Sequence, residues 1–262
     1  MGRRSKFFEL KKVFDMLHGP DGCPWDKKQT FATIAPYTIE EAYELADAVR
    51  QDDPALVRDE LGDVLFQVVF QSRIAEERGL FDFQQVAAAI GDKLERRHPH
   101  VFGTASVAGI AQQSEAWEAH KAAERREKGQ GEGALDGVAL GLPALTRAAK
   151  LGKRAARVGF DWPDVSGVLV KVDEEVAEVQ AAVTAGAPDE VREELGDLLF
   201  SVVQAARHLG VDPEAALRDA NAKFERRFRD MEARLAAQGR TVGECDPGTL
   251  EALWALAKRS VG

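Results

Sequence analysis

Hydrophobic residues recur every three or four positions through most of this chain, and the interruptions fall at proline or glycine. That period puts apolar side chains on one face of an α-helix, and no pair of alternating β-branched runs brackets a tight turn. The sequence therefore predicts an all-α fold. The expected helices cover residues 5–18, 38–51, 54–79, 81–98, 104–127, 143–159, 171–185, 188–203, 213–237 and 247–260. Residues 23–38 are expected to be irregular, with Thr38 and Glu41 forming a capping box at the next helix.

The pattern is clearest in residues 171–203, which form two amphipathic segments separated by Ala185-Gly-Ala-Pro188. In the first segment Val172, Val176, Val179 and Val183 make an apolar stripe, and acidic residues lie beside it. In the second segment the acidic residues border the face formed by Val191, Leu195, Leu198, Val202 and Ala205. An antiparallel hairpin of these two helices would bring the carboxylates together at the rim of its core.

The carboxylates in question follow an EExxE pattern and then an ExxD pattern: Glu174, Glu175 and Glu178, followed by Glu194 and Asp197. A single acidic pair on a helix is usually solvated surface. Converging like charges are unfavourable unless a positive charge lies between them. A hard divalent cation with oxygen ligands, Mg²⁺ or alternatively Mn²⁺, is the simplest counter-charge.

The whole arrangement occurs twice, with an offset of 134 residues between the acidic motifs. Glu40, Glu41 and Glu44 match the first motif, and Glu60 and Asp63 match the second. A repeat that retains polar residues no core requires indicates two related helical bundles. We expect domains at 1–127 and 138–262, joined by a glycine-rich linker at 128–137.

Basic and aromatic residues repeat as well. Lys93, Arg96 and Arg97 match Lys223, Arg226 and Arg227, and Trp117 with Lys121 matches Trp254 with Lys258. The basic run is either solvated surface or a phosphate clamp, and Trp254 is either a core residue or a platform for a base. Gly62 and Gly196 lie inside helices, where they indicate a close helix contact or close approach of a phosphate.

Composition narrows the function classes. The net charge is −9 and hydrophobic residues make up 45% of the 262 residues, as in globular proteins without the basic footprint of nucleic-acid binding. The two cysteines form no redox or zinc motif. No signal peptide or membrane-spanning run is evident, so we expect a cytoplasmic location without membrane or nucleic-acid partners.

Acidic cluster, basic run and aromatic residue together describe a site for a magnesium-bound nucleotide polyphosphate. No GxxxxGK[ST] loop is present, which excludes a P-loop NTPase. Metal-assisted hydrolysis is the expected chemistry. The competing class is a helical interaction or regulatory protein that binds metal without turnover.

The motifs EExxE and ExxD, the segments KFERRF and KLERRHPHVFG, and EELGDLLF resemble the MazG family of nucleoside triphosphate pyrophosphohydrolases. CPWDKKQT and LPALTRAAKLGKRAARVGFDW extend this resemblance to two-domain members along nearly the whole chain. The resemblance implies an all-α fold related to dimeric dUTPases, Mg²⁺ dependence, and cleavage of NTP or dNTP to the monophosphate and pyrophosphate in nucleotide-pool housecleaning. The bond that is cleaved is implied by the resemblance alone.

The resemblance also implies roles for individual residues. Metal ligands would be Glu175, Glu178, Glu194 and Asp197, and Glu174 would orient the attacking water or a second ion. Phosphates would be held by Lys171, Lys223, Arg226 and Arg227, and Trp254 with Lys258 would lie at the base or sugar. The first half has Glu41, Glu44, Glu60, Asp63, Lys93 and Arg97, but Tyr37 replaces Lys171. We therefore expect the second half to be the active copy.

The active unit is expected to be a homodimer. A helical hairpin with apolar residues over more than half its circumference cannot cover that surface itself. Phe66 and Phe200 are directed away from the main apolar face of their helices and are expected to serve the contact. Pairing of the two halves within one chain is the alternative.

Overall fold

The computed structural model describes residues 6–104 and 133–261, and positions 109, 113, 116, 117, 120, 123, 124 and 129 between them. Over these residues the regular structure is entirely helical, which confirms the all-α fold. Contacts divide the chain into two compact units, Met1–His120 and Lys121–Gly262, called unit 1 and unit 2 below. Most of the helix predicted at 104–127, Lys121 included, lies outside the described residues, as do positions 128 and 130–132 of the linker predicted at 128–137.

Unit 1 is built around a hairpin of two long helices. Asp53 accepts a hydrogen bond of 2.8 Å from the Ala55 amide and, followed by Pro54, begins the second of them as predicted. The helices of unit 1 are α1 Lys6–Leu17, α2 Phe31–Gln51, α3 Pro54–Glu77, α4 Phe83–Arg97 and α5 Pro99–Phe102, with a 3₁₀ turn at Asp26–Lys28.

The start of α2 corrects one prediction. The helix is capped by Thr30, whose side chain accepts from the Thr33 amide, and it begins at Phe31. Thr38 is therefore inside the helix, where its hydroxyl donates to the Ile34 carbonyl at 3.3 Å, and it does not cap Glu41. The first turns of this helix were not predicted, because Pro36 lies within them and an internal proline normally indicates a break.

The core of unit 1 is aromatic and corrects a second prediction. Phe14, Phe70 and Ile74 are buried together where α1 packs on α3. Phe66 lies against this cluster, with ring centroids 5.3 Å from Phe14 and 5.5 Å from Phe70. Phe66 therefore packs within its own unit, and the prediction that it is directed away from the main apolar face of its helix is wrong, whereas its contact with a second chain stays a prediction.

Unit 2 repeats the hairpin. Its first long helix ends at Ala185, Gly186 adopts a left-handed φ of 66°, and the next helix begins at Pro188, as predicted. The helices of unit 2 are α6 Ala144–Ala156, α7 Val165–Ala185, α8 Pro188–His208, α9 Pro213–Ala236 and α10 Pro247–Ser260, with a 3₁₀ turn at Val242–Glu244. A separate apolar cluster formed by Met231, Leu235, Leu253 and Ala257 joins α9 to α10.

A buried polar network fixes the C-terminal half of α8 against α6 and the segment before α7. The Gln204 amide donates to the Ala148 carbonyl at 3.2 Å and its oxygen accepts from the Arg207 Nε at 2.8 Å. Arg207 also donates to both oxygens of Asp161, and His208 lies 3.0 Å from the same carboxylate. Together these bonds hold α8 in position.

Apolar side chains remain exposed along the α7–α8 hairpin. Leu199 is 57% exposed, Val202 48% and Phe200 38%, and the Val183 side chain of α7 is also exposed. The described residues of unit 2 therefore leave part of the hairpin uncovered. Within the described ranges, every helix is too short or too polar to cross a membrane.

Candidate active site

Two helices of unit 2 bring together carboxylates that are up to 22 residues apart in sequence. Glu175 lies on α7, and Glu194 and Asp197 lie one turn apart on α8. One carboxylate oxygen from each lies within 4.8 Å of the others. The structure thus places three of the four predicted metal ligands in one oxygen-lined cluster, which we call the unit 2 acidic cluster.

Glu175 is the most constrained member of this cluster. The residue is only 3% exposed, and its Oε2 atom has no hydrogen-bond partner among the residues that the structure describes. A buried ionised oxygen without a partner is strongly unfavourable, because its hydrogen bonds to water are lost and no hydrogen bond within the protein replaces them. Oxygen donors from carboxylates at this spacing fit a hard divalent cation, which would supply the missing partner.

Lys171 occupies the same face of α7. Its Nζ lies 2.8 Å from Glu175 Oε1, 2.9 Å from Glu174 Oε1 and 3.8 Å from Glu178 Oε2. Hydrogen bonds to Glu175 and then Glu174 raise the pKa of Lys171, so the ammonium is charged across the physiological range. Predicted as a phosphate ligand, Lys171 here contacts the carboxylates.

Repulsion within the cluster is visible in its acid–base properties. Desolvation, and then the nearby Glu178, Glu175 and Asp197 charges, raise the pKa of Glu194. The pKa of Glu178 is also raised, chiefly by desolvation, although the Lys171 charge opposes the shift. A bound cation stabilises the ionised form of a carboxylate whose charge is otherwise disfavoured, so these raised pKa values agree with a cation site.

The predicted phosphate and base residues lie elsewhere in unit 2. Lys223 and Arg226 are exposed on α9, and the Nε atom of Arg227 is buried without a partner in the described part of the chain. Among the described residues no hydrogen bond or ion pair joins these three to the acidic cluster. The structure therefore shows basic groups that are available, without contact to the carboxylates.

Trp254 packs beside the apolar cluster of α9 and α10, with its ring 5.2 Å from that of Phe224. The Lys258 ammonium lies 6.0 Å from the Trp254 ring centroid, so the predicted pairing of ring and ammonium on one helix face is present. Trp254 thus has a packing role, which leaves its contact with a base as a prediction.

Unit 1 contains a matching group. Oxygens of Glu41, Glu60 and Asp63 also lie within 4.8 Å of one another, and we call this the unit 1 acidic cluster. Desolvation is the largest cause raising the pKa of Glu41 and of Glu60, followed by neighbouring carboxylates that include Glu44 and Asp63. The predicted Lys93 and Arg97 lie on α4.

The groups around the two clusters differ. In unit 1 the Gln67 amide lies 3.5 Å from Glu41 Oε1, and Tyr37 packs against Trp25 with ring centroids 6.0 Å apart. Among the described residues no ammonium contacts Glu41 as Lys171 contacts Glu175. Glu41 of unit 1 is therefore contacted by a neutral amide, whereas the matching Glu175 of unit 2 is contacted by a full positive charge.

The two mid-helix glycines have open space around them. A Cβ added at Gly62 or Gly196 would meet no atom within 4 Å. Of the two explanations given for these glycines, a close helix contact is thus wrong for the described residues. Gly196 immediately precedes Asp197, so the open surface borders the unit 2 acidic cluster.

Comparison with known proteins adds to this geometry. The profile described as MazG nucleotide pyrophosphohydrolase domain matches residues 29–102 and 166–231, more than half of the chain. The chain belongs to the MazG family. The matched segments contain the α2–α3 and α7–α8 hairpins, so both acidic clusters fall within MazG segments. The family is one of pyrophosphohydrolases, and the chain is accordingly an enzyme of the hydrolase class.

Individual MazG relatives match over almost the full length. A nucleoside triphosphate pyrophosphohydrolase of Escherichia coli is 50% identical over 253 residues, covering 95% of this chain and 96% of that protein. A nucleoside triphosphate pyrophosphohydrolase/pyrophosphatase MazG of Thermotoga maritima is 42% identical, covering 96% and 95%. YabN of Bacillus subtilis, whose function its name leaves open, is 41% identical and covers 97% of this chain but 52% of its own.

Sequence reasoning missed the neighbours of the carboxylates. Gln67 was overlooked because a glutamine beside an apolar face carries no catalytic pattern. The contacts of Lys171 could have been inferred, since positions 171, 174, 175 and 178 have the spacing of side chains that meet on a helix. Sequence analysis assigned Lys171 to the phosphates and did not pair it with the carboxylates.

Proposed function

We propose that this MazG protein is a Mg²⁺-dependent nucleoside triphosphate pyrophosphohydrolase. It would convert NTPs or dNTPs to monophosphates and pyrophosphate, in nucleotide-pool housecleaning. The observation that carries this proposal is the buried Glu175, whose Oε2 lacks a partner within the unit 2 acidic cluster. The names of the full-length relatives from Escherichia coli and Thermotoga maritima support the substrate class.

Glu175, Glu178, Glu194 and Asp197 would hold the divalent cation. When bound, such an ion offsets negative charge on phosphate oxygens and lowers the pKa of a coordinated water. Glu174, whose side chain is 54% exposed and one position from Glu175, would orient the attacking water by accepting its hydrogen bond.

The substrate would be held by residues outside the cluster. Lys171, Lys223, Arg226 and Arg227 would donate to phosphate oxygens, since ammonium and guanidinium groups form charge-assisted hydrogen bonds with them. The unpartnered Nε of Arg227 supports this role, because a buried donor lacks an acceptor there. Trp254 and Lys258 would lie at the base or sugar.

Product analysis tests the proposal. Each NTP and dNTP is incubated with protein and Mg²⁺, and pyrophosphate and orthophosphate are measured separately. We expect monophosphate and pyrophosphate, and loss of turnover on chelation. Release of orthophosphate with the diphosphate would contradict the mechanism, and metal binding without any turnover would favour an interaction protein.

We further propose that unit 2 is the active copy and unit 1 a weaker site comprising Glu41, Glu44, Glu60, Asp63, Lys93 and Arg97. The support is the contrast at equivalent positions: Lys171 contacts the carboxylates in unit 2, whereas Tyr37 packs against Trp25 in unit 1. A tyrosine carries no positive charge with which to hold a phosphate.

Homodimerisation is the proposed assembly. Leu199, Phe200 and Val202 of the α7–α8 hairpin are exposed, and a second surface packed on them would remove their apolar side chains from water. A second copy is the occupant we favour, and pairing between the hairpins of one chain is the alternative. Light scattering distinguishes the two, because a mass near 28.6 kDa would mean a monomer.

A further inference from the structure

The unit 2 acidic cluster already has a cation of its own. Lys171 Nζ lies 2.8 Å from Glu175 Oε1 and 2.9 Å from Glu174 Oε1, and its third neighbour is Glu178 at 3.8 Å. Two of these three, Glu175 and Glu178, are proposed metal ligands. The ammonium and a metal ion must therefore share carboxylates or exchange them.

Charge and position favour exchange. Both cations would lie within a few ångströms of Glu175, and two positive charges at such a separation repel each other. Glu175 cannot move away to relieve this, since it is buried on α7. Lys171 can move, because its side chain is 33% exposed and its ammonium group is carried on four flexible methylene groups.

Unit 1 shows the same cluster without this cation. Glu41, Glu60 and Asp63 reproduce the carboxylate spacing, and the hydrogen-bond partner of Glu41 among the described residues is the neutral amide of Gln67 at 3.5 Å. The pKa values of Glu41 and Glu60 are raised by desolvation and by neighbouring carboxylates. The unit 1 acidic cluster is therefore present although no lysine offsets the repulsion among its described carboxylates. The lysine is thus not required to bring three such carboxylates together.

We propose that Lys171 is an exchangeable counter-ion, which neutralises the unit 2 carboxylates before the metal binds and is released by the metal to contact the nucleotide phosphates. This inference rests on the proposed function, since it requires a divalent cation at Glu175. Lys171 would then be a binding residue that links metal binding to nucleotide binding. Metal frees the ammonium that the phosphates use, and bound phosphates keep the ammonium away from the metal.

Two consequences follow for binding. Removing the ammonium should tighten the binding of metal alone, because the metal no longer competes with it. Removing it should also weaken the mutual enhancement between metal and nucleotide, which by linkage has the same size in both directions. A lysine that merely supported the fold would produce neither effect.

The test is calorimetric titration of Mg²⁺ in the absence of nucleotide, at mildly alkaline pH so that protons compete little for the carboxylates. Glu41→Gln and Asp63→Asn are introduced throughout, so that binding reports on unit 2. Lys171→Met and Lys171→Gln remove the charge, and Lys171→Arg retains it. Lys153→Met, at an exposed lysine of α6 that makes no ion pair with the cluster among the described residues, controls for net charge.

We expect both neutral variants to bind Mg²⁺ about twofold to fivefold more tightly, the scale of a partly exposed charge contact. Lys171→Arg and Lys153→Met should stay near the background affinity. The metal-free neutral variants should melt earlier than the background, because Glu175 loses its cation, and should gain more from Mg²⁺. A non-hydrolysable triphosphate should enhance Mg²⁺ binding less in these variants than in the background.

The outcomes separate the two proposals. Equal or weaker Mg²⁺ binding by the neutral variants, with the background protein binding normally, would overturn the exchange and leave the proposed function intact. Absence of Mg²⁺ binding in the background protein would instead contradict the proposed function. If Lys171→Met does not fold, Lys171→Gln decides the same question.

Discussion

Replacing Gly196 by alanine should stabilise unit 2 and reduce turnover. Alanine is favoured over glycine inside a helix by about 1 kcal/mol, because glycine loses more backbone freedom on folding. The new Cβ would meet nothing within 4 Å, so no steric term offsets that gain. For a unit of this size the melting temperature should rise by about 2–4 °C.

The assay combines stability and kinetics. Unfolding is followed by tryptophan fluorescence, to which Trp162 and Trp254 contribute from unit 2 and Trp25 and Trp117 from unit 1, and pyrophosphate release is measured on the same preparation. We expect turnover to fall because the open surface beside Asp197 is where a phosphate or a second chain would approach. Light scattering separates those two causes, since only the second would change the mass.

Two matched variants serve as controls. Gly62→Ala has equally open surroundings in unit 1 and should stabilise that unit while leaving turnover intact. Gly152→Ala should destabilise unit 2 by about 1–3 kcal/mol, because its Cβ would lie 1.8 Å from the Gln204 Oε1 atom. Loss of stability in Gly196→Ala would refute the reasoning, since it would mean that the position is packed.

Two further predictions concern carboxylates. Glu175→Gln should abolish most turnover, whereas Glu41→Gln should leave most of it; equal losses would show that both units work, and the reverse order would contradict the assignment. Asp161 should support stability above its unfolded pKa of 3.8, because hydrogen bonds from Arg207 hold its folded pKa at about 2. This contribution, about 2 kcal/mol, should be lost as pH falls from 3.8 towards 2. Asp161→Asn should remove it, and an unchanged acid denaturation profile would count against the network.

Much of the fold could be predicted because its boundaries are encoded locally. Asp53-Pro54, Ala185-Gly-Ala-Pro188 and Asp212-Pro213 mark helix ends through capping and fixed backbone angles, and each lies at a helix end in the structure. The start of α2 was missed because Pro36 looks like a break, whereas the Thr30 cap determines where the helix begins.

The site was predictable to the extent that helical period determines it. The spacing of Glu175, Glu194 and Asp197 predicted convergence, and the structure places their oxygens together. The same kind of reasoning gave the wrong direction for the Phe66 side chain. Its contact with Phe14 involves a third helix, whose position the period of α3 does not determine. The open surroundings of Gly196 likewise depend on tertiary packing.

The contact between Gly152 and Gln204 places a constraint on how this chain can vary. The glutamine amide takes the volume that a side chain at position 152 would need, and its bonds to the Ala148 carbonyl and Arg207 keep it there. Position 152 can therefore take a side chain only if position 204 changes too. Natural variants with a larger residue at 152 should carry a smaller residue at 204, and Gly152→Ala should be tolerated far better alongside Gln204→Ala than alone.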